Sequence, residues 1–357
     1  MHLGWEVFKV SEKVNRTILR VCSLIVIFLA SSTAWGGDIV KVGTVASTGE
    51  FILNVAQGKG YFEQEGIEPA YAFFDSAAKA IAPLGTGQID VAGGAVSAGL
   101  FNAIERDIAI RIIADRTSVA PGFGFHGIIV RKDLAATEVK SIADLKGRKI
   151  AIVARGSSTE SILNEAMKSA GLAYRDVEVV YLPFPQQAAA LASRAVDSVI
   201  ATEPYLTPML NQNLGVLLAS TDKYYPNAQI GELMFSENFA STRKDVGVRF
   251  VKAYIRAIRD FRNAFGPEGR LDGPGSDEIV ALIMKYSGTK DEKLLRSIKL
   301  PAVNIDGRVN SESIQKDWQF FKDQGLIKGG VSPDKIIDNS FVEEALKDLG
   351  PAQKNPG

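Results

Sequence analysis

Three short polar segments of this 357-residue chain carry residue types that can hold a small ligand. Each segment follows an apolar run that predicts a β-strand, at 39–43, 89–92 and 149–154. Hydroxyl groups and free backbone N–H groups at the start of a helix favour a bound anion, and Gly156 lets the backbone approach it. Alternatively, the hydroxyls only cap their own helices. The candidate ligand-binding residues in these segments are Ser47, Thr48, Gly49, Val96, Ser97, Ser157, Ser158 and Thr159.

Glu203 is a ninth candidate, because it follows a predicted strand at 197–201. A carboxylate at the end of a strand can accept hydrogen bonds from a ligand amine or hydroxyl. Equally, the Glu203-Pro204 pair could only turn the chain into the next helix. The residues by themselves leave both interpretations open.

The composition excludes several classes of chemistry. One cysteine, Cys22, and two histidines, His2 and His126, provide neither a disulfide nor a His/Cys zinc site. No Walker loop and no Gly-x-Ser-x-Gly elbow between a strand and a helix is present. The 41 basic and 41 acidic residues also argue against a nucleic-acid partner. We therefore expect no catalytic residue, no metal and no cofactor.

The N-terminus has the pattern of a secretory signal peptide. Basic residues between Lys9 and Arg20 precede an apolar run at 21–30 and small residues at 31–36. The apolar run is shorter than the ~20 residues of a membrane-spanning helix. We expect residues 1–36 to be removed, leaving a cysteine-free and mildly acidic protein in the periplasm.

From residue 38, short apolar runs alternate with amphipathic helical patterns, and the alternation starts again near residue 127. Beyond residue 239 the pattern changes to long amphipathic helices. Alternation of strands and helices predicts an α/β fold with mostly parallel sheets flanked by helices, here in two successive halves. Ligands of such sheets bind beyond the carboxyl ends of the strands, where the three polar segments are expected.

Several longer segments resemble the periplasmic substrate-binding proteins of nitrate/sulfonate/taurine-type ABC importers, a group that includes binders of thiamine-pyrimidine precursors. The segments that carry the resemblance are GKGYFEQEGI (58–67), GQIDVA (87–92), IADLKGRKIA (142–151), GL (171–172), VDS (196–198), EPY (203–205) and QGLI (324–327).

The resemblance implies a two-lobe type II periplasmic binding protein fold with two hinge crossovers. Lobe one would comprise residues 38–126 plus 233–357, and lobe two residues 127–232. The lobes would close over a ligand in the cleft, where the nine candidate residues fall at positions that contact ligand in the family.

The function implied is that of a monomeric solute-binding component of an ABC importer. It would capture a small organic anion, such as a sulfonate, amino-sulfonate or carboxylate, and deliver it unchanged to the permease in the inner membrane. The alternatives are a ligand sensor for a membrane receptor, or an enzyme of the pyrimidine or menaquinone pathways on the same fold. The pyrimidine-synthesising enzymes carry a cysteine-rich motif, which the mature chain lacks.

Overall fold

The strands of this computed structural model, which describes residues 36–45, 47–74 and 77–352, form two five-stranded sheets. Of the predicted signal peptide, only Gly36 lies within the described residues. The strands are β1 (Asp38–Thr44), β2 (Ile67–Phe73), β3 (Val91–Gly93), β4 (Ile110–Ser118), β5 (His126–Arg131), β6 (Lys149–Ile152), β7 (Glu178–Tyr181), β8 (Ser198–Thr202), β9 (Gly215–Ser220) and β10 (Gln229–Ser236).

Helices connect these strands, and further helices follow β10. They are α1 (Phe51–Gly58), α2 (Tyr61–Gln64), α3 (Ala77–Gly85), α4 (Ala98–Ile104), α5 (Lys132–Thr137), α6 (Ser158–Ser169), α7 (Phe184–Ala192), α8 (Leu206–Asn211), α9 (Glu237–Thr242), α10 (Lys244–Asn263), α11 (Ser276–Tyr286), α12 (Glu292–Ser297), α13 (Ser311–Asp323) and α14 (Ser340–Leu349). Within the described residues, no helix combines the length and apolar character needed to cross a bilayer.

Both sheets are mixed. The first has the order β2-β1-β3-β10-β4, and β10 runs antiparallel to both of its neighbours. The second has the order β7-β6-β8-β5-β9, and β5 runs antiparallel to both of its neighbours. Four strands of each sheet therefore run in one direction. The predicted mostly parallel sheets are confirmed, with one reversed strand in each.

Two connections join the sheets. The chain leaves the first sheet after Ser118 and enters the second at His126, and it returns between Ser220 and Gln229. All eight residues of β10 are buried in the first sheet, including Gln229 and Glu232. The expected boundary between lobes at 232/233 falls inside this strand, and the division into lobes itself stays a prediction.

The longest helix, α10, packs against the first sheet through an apolar face. Phe250 of this helix contacts Phe62 of α2 and Phe235 of β10, at ring-centroid distances of 4.8 and 6.1 Å. Phe341 of α14 packs on the same Phe235 ring at 5.3 Å. Buried aromatic contacts of this kind fix these helices on the first sheet.

Candidate functional site

A cavity of about 540 Å³ lies at the carboxyl ends of β1 and β2. Most of its lining comes from the first sheet and its helices, whereas Pro204 and Tyr205 come from the loop after β8 of the second sheet. The lining residues are Thr44, Val45, Ser47, Thr48, Glu50, Phe51, Asn54, Gln57, Tyr71, Phe73, Pro204, Tyr205, Tyr286, Ser287, Thr289, Leu294, Leu295 and Ile298. A concave site with an apolar lining and a few polar groups is typical of small-molecule binding.

One helix supplies a polar row to this cavity. A single 3₁₀ turn, Thr48–Glu50, leads directly into α1. Glu50, Asn54 and Gln57 therefore lie at helical spacings of four and three residues, which places them on one face. Ile52, Val55 and other apolar residues of α1 are buried in the core and hold this face toward the cavity.

Three residues that line the cavity carry buried polar atoms without a hydrogen-bond partner within the protein. These atoms are Thr44 Oγ1, Glu50 Oε2 and Asn54 Nδ2. Buried polar atoms in native proteins are nearly always hydrogen-bonded, and leaving one unpaired costs about 1–3 kcal/mol. The residues that line the cavity therefore combine apolar side chains with three buried donors and acceptors that no group of the protein uses.

Arg116, in the middle of β4, holds the polar side of the cavity in place. Its Nη2 lies 2.7 Å from Glu50 Oε1 and 2.7 Å from Ser47 Oγ, so it donates to both. Both members of the Arg116–Glu50 pair are buried, at 6% and 5% exposure. This ion pair fixes the start of α1 and the loop after β1 in one geometry. The sequence analysis missed Arg116; the only local signal was a charged residue pair inside an apolar strand.

Glycines surround the guanidinium group of Arg116. A Cβ atom at Gly49 would lie 2.5 Å from Arg116 Cζ, and one at Gly93 would lie 2.4 Å from Arg116 Nε. Gly49 thus makes room for Arg116, and its predicted contact with a ligand stays a prediction.

The second and third predicted segments meet each other. Ser97 and Ser157 form an isolated antiparallel bridge, and the N–H of Ala98 donates to the carbonyl of Gly156 at 2.8 Å. These loops belong to different sheets, because one follows β3 and the other follows β6. The structure therefore brings the two segments together, although neither lines the cavity beside β1.

The hydroxyls of these segments are used locally. Ser97 Oγ accepts the N–H of Leu100 at 3.2 Å and caps α4. Ser157 Oγ donates to the carbonyl of Ala154 at 2.7 Å and lies 2.8 Å from Thr159 Oγ1. The Ser97 bond matches the capping alternative that the sequence left open, whereas the Ser157 hydroxyl makes no capping bond to α6. Val96, Ser158 and Thr159 are buried.

A carboxylate already occupies the start of α6, where the sequence analysis expects an anion. Glu160 accepts a hydrogen bond from the N–H of Gly156, and it also accepts the hydroxyls of Tyr174 at 2.5 Å and Tyr181 at 3.2 Å. This negative charge complements the dipole of α6 and opposes a second anion at the same place. Burial, together with the hydrogen bond to Glu160, raises the pKa of Tyr174, which keeps its hydroxyl protonated and donating.

Glu203 is engaged with the helix that follows it. Its two carboxylate oxygens accept the hydroxyl of Thr207 at 2.5 Å and the N–H of Thr207 at 3.1 Å. Burial raises the pKa of Glu203, and these two bonds oppose the increase. The contacts match the turn-forming alternative, and the Glu203-Pro204 peptide bond is cis. A contact between Glu203 and a ligand stays a prediction.

Of the nine predicted residues, Ser47 and Thr48 line the cavity. The sequence analysis missed Glu50, Asn54 and most of the aromatic lining residues. The spacing of Glu50, Asn54 and Gln57 within an otherwise apolar helix was the signal that could have found the polar row. Among the described residues, no group of three His, Cys, Asp or Glu side chains is arranged to hold a metal ion.

Two buried carboxyl groups, those of Asp317 and Glu232, lie outside the cavity lining. Asp317 of α13 accepts the hydroxyl of Ser161 in α6 and, at 2.7 Å, that of Tyr225 in the returning connection. Burial raises the pKa of Asp317 to about 7. Glu232 has no partner for either oxygen, and burial together with nearby Asp115 raises its pKa to about 8.

Comparison with known proteins adds the family and the fold. A protein of Brucella abortus (strain 2308) named as a binding protein is 27% identical over 304 residues, which cover 83% of this chain and 89% of that protein. The structure of the periplasmic aliphatic sulphonate binding protein SsuA from Escherichia coli superposes with a TM-score of 0.69 at 18% identity, over 86% of this chain and 99% of that one. The desulfurization enzyme DSZB has a related fold, with a TM-score of 0.59 at 16% identity, over 87% of this chain and 99% of that one.

These similarities confirm the predicted two-lobe periplasmic binding protein fold. The sequence profile of the NMT1-like family matches residues 37–264, which is more than half of the chain and contains β1 to β10 and the cavity loop after β1. The resemblance found in the sequence is thereby confirmed at family level, and the chain belongs to the NMT1-like family.

Proposed function

We propose that this protein is the periplasmic solute-binding component of an ABC importer and that it captures a small organic molecule in the cavity beside β1 and β2. The observation that carries the proposal is the cavity of about 540 Å³, which combines apolar walls with three unpaired buried polar atoms. Membership of the NMT1-like family and the names of the Brucella and Escherichia coli proteins support a binding role.

The proposed mechanism is closure of two lobes over the ligand. Tyr205 and Pro204 come from the second sheet, whereas the other lining residues come from the first sheet and its helices. The connections after Ser118 and after Ser220 would act as the hinge, so the lobes would divide there. A ligand drives closure only if it binds the closed arrangement more tightly than the open one. The permease in the inner membrane would then accept the closed form.

Among the predicted site residues, we propose Ser47 and Thr48 as ligand contacts. The segments at Val96–Ser97 and Ser157–Thr159 would act in the contact between the lobes, and Glu203 would shape the loop that carries Tyr205. The position of Glu203 beside two lining residues supports this assignment.

We propose that residues 1–36 form a cleaved signal peptide, so that the mature protein acts in the periplasm as a monomer. The basic start, short apolar run and small residues of this segment support export.

An enzymatic role is the alternative with a specific observation in its favour, namely the fold shared with DSZB. The only cysteine of this chain, Cys22, lies in the predicted signal peptide. The mature chain therefore lacks the cysteine-rich motif that the pyrimidine-synthesising enzymes on this fold carry. We therefore propose that the mature protein binds its ligand without changing it. Recovery of the ligand after binding, followed by mass spectrometry, tests this point directly: an altered compound would support the enzyme.

Titration calorimetry on the refolded, ligand-free mature chain tests the binding role, after a thermal-shift screen of organic acids, sulfonates, amines and amides. A ligand that binds only the native state raises the melting temperature. At a free ligand concentration of one hundred times its dissociation constant, the ligand adds ~2.7 kcal/mol to the free energy of unfolding. We expect Tyr205→Ala to weaken binding by about tenfold, because aromatic contacts contribute ~0.5–1.5 kcal/mol beyond the area they bury.

Leu217→Ala is the matched control for Tyr205→Ala. Leu217 is 40% exposed and Tyr205 is 38% exposed, both belong to the second sheet or its loops, and only Tyr205 lines the cavity. Equal affinity in the wild type and in Tyr205→Ala would place the site elsewhere and contradict the proposal.

A further inference from the structure

The charge of the cavity lining narrows the chemical class of its ligand. Among the described lining residues, Glu50 is the one charged side chain, and no lysine, arginine or histidine is included. An inorganic or organic oxyanion in this cavity would meet the Glu50 carboxylate but no cationic lining residue, because the nearby Arg116 is already paired with Glu50. The sequence-based expectation of an anion depends instead on the start of α6, where Glu160 already accepts the N–H of Gly156.

Glu50 presents one used and one unused oxygen. Oε1 accepts from Arg116 at 2.7 Å, and Oε2 is buried without a partner. The pairing with Arg116 fixes the orientation of the carboxylate and balances its charge. Oε2 is therefore a hydrogen-bond acceptor in a fixed position. A ligand N–H group is the natural complement of such an acceptor, because a carboxylate makes strong, charge-assisted bonds with N–H donors.

Asn54 lies one helical turn beyond Glu50 and adds a hydrogen-bond donor. Its Nδ2 is a buried donor without a partner. The same helix face therefore offers an acceptor and a donor about one turn apart. An amide group, which both donates and accepts, can use the two together, whereas an amine can use only Glu50.

Aromatic rings form much of the remaining wall. Phe51, Tyr71, Phe73 and Tyr286 line the cavity on the first-sheet side, and Tyr205 lines it on the other. The Tyr71 hydroxyl donates to Gln57 Oε1 at 3.3 Å, so Tyr71 presents mainly its apolar ring to the cavity. Aromatic walls favour flat apolar groups and also favour nearby cationic groups.

We infer that the ligand is a small aromatic amine or amide whose N–H group donates to Glu50 and whose ring packs among the aromatic side chains of the cavity. This inference rests on the proposed binding function and adds the chemical class of the ligand to it. Arg116 is a positioning residue in this arrangement, because it acts on the ligand through Glu50.

Probes that share one ring and differ in the head group test the inference on the mature wild-type protein. Titration calorimetry would compare benzylamine and benzamide with benzoate and benzenesulfonate. We expect both N–H donors to bind at least tenfold more tightly than either oxyanion. Tighter binding of benzoate or benzenesulfonate would overturn the inference but would support the general binding function. Absence of measurable binding by all four probes would also overturn it, and the wider ligand screen would then decide on the binding function separately.

Two variants test whether the head group of the ligand binds Glu50. Glu50→Gln should weaken the binding of benzylamine and of benzamide by about tenfold or more, since a hydrogen bond to a charged group is lost. Glu68→Gln, which changes an exposed carboxylate of β2 outside the cavity, should leave all affinities unchanged. Unchanged affinity in Glu50→Gln would contradict the inference.

Asn54→Ala provides a second measurement that leaves the Arg116–Glu50 pair intact, in case Glu50→Gln does not fold. We expect Asn54→Ala to weaken the binding of benzamide several-fold and to leave the affinity for benzylamine nearly unchanged, because only the amide accepts a hydrogen bond from Nδ2. Equal loss for both probes, or loss for neither, would show that the polar row does not bind the head group.

Discussion

Arg116 determines where the polar groups of the cavity stand. Its guanidinium group is buried, bonds Glu50 and Ser47, and occupies space that only glycines at 49 and 93 leave open. A buried ion pair adds little net stability, but the loss of one partner leaves an uncompensated charge. The pair is therefore better explained as a device that fixes Glu50 beside the cavity than as a source of stability.

We expect Arg116→Gln to lower the free energy of unfolding by about 3–5 kcal/mol, because Glu50 then stays buried without its partner. The double variant Arg116→Gln/Glu50→Gln should recover part of this loss, since it removes both charges. Urea unfolding followed by circular dichroism measures the four proteins of this double-mutant cycle. A coupling energy near zero would show that the 2.7 Å contact does not couple the two residues.

At the scale of elements, the start of α6 meets the start of α4. Gly156 has a φ of +70°, and a Cβ at this position would lie 2.8 Å from Ala98 Cβ. The N–H of Ala98 also donates to the Gly156 carbonyl. The glycine therefore satisfies two requirements at once: a left-handed backbone and a close approach between loops of the two sheets.

Gly156→Ala should reduce ligand affinity several-fold, because the added methyl group separates the two loops whose contact we propose to act between the lobes. Gly147→Ala is the matched control. Gly147 has a φ of +73°, but nothing lies within 4 Å of its added Cβ. Both variants should lose a similar stability of about 1 kcal/mol from backbone strain. Calorimetric affinities that fall equally in both variants would contradict a role for the loop contact in binding.

At the scale of the whole molecule, two buried carboxyl groups affect stability, and one of them, Asp317, bonds residues from both halves of the chain. Asp317 accepts hydroxyls from α6 and from the returning connection, and Glu232 lies unpaired in β10 near Asp115 and Arg116. The pKa values of Asp317 and Glu232 are raised to about 7 and about 8. The folded protein therefore binds more protons than the unfolded chain over this range, and its stability falls as the pH rises.

We expect the free energy of unfolding to decrease between pH 6.5 and about pH 8 and to level off above the folded pKa of Glu232. Glu232→Gln should reduce this decrease, because the titrating group is removed. The buried His126, with its pKa lowered to about 3, has the opposite effect only below its unfolded pKa of about 6.5. Urea unfolding at several pH values in this window measures the slope. Glu68→Gln should keep the wild-type slope, and an unchanged slope in Glu232→Gln would contradict the assignment.

Local patterns alone determined much of the secondary structure. The helical spacing at 276–286 predicts α11 with the bounds that the structure shows. The strand predicted at 39–43 is one residue shorter than β1 at each end, and the apolar run at 67–74 predicts β2 with one extra residue at its carboxyl end. These elements present one face to the core, so burial repeats with the period of the element itself. Strand β10 was not predicted, because all eight of its residues are buried and two of them, Gln229 and Glu232, are polar.

The sequence by itself determined the α/β class, the family and the general location of a site after the first strand, because these depend on residues close together in the chain. Only the tertiary structure decided which polar groups remain available there. Ser47 lines the cavity, whereas the hydroxyls near Ser157 are used in local bonds and Glu160 takes the place of an anion. Arg116 and Glu50 are 66 residues apart, and their contact depends on how β4 lies against the loop after β1. The sequence pattern within either segment does not predict that contact, because it forms only when β4 packs next to the loop after β1.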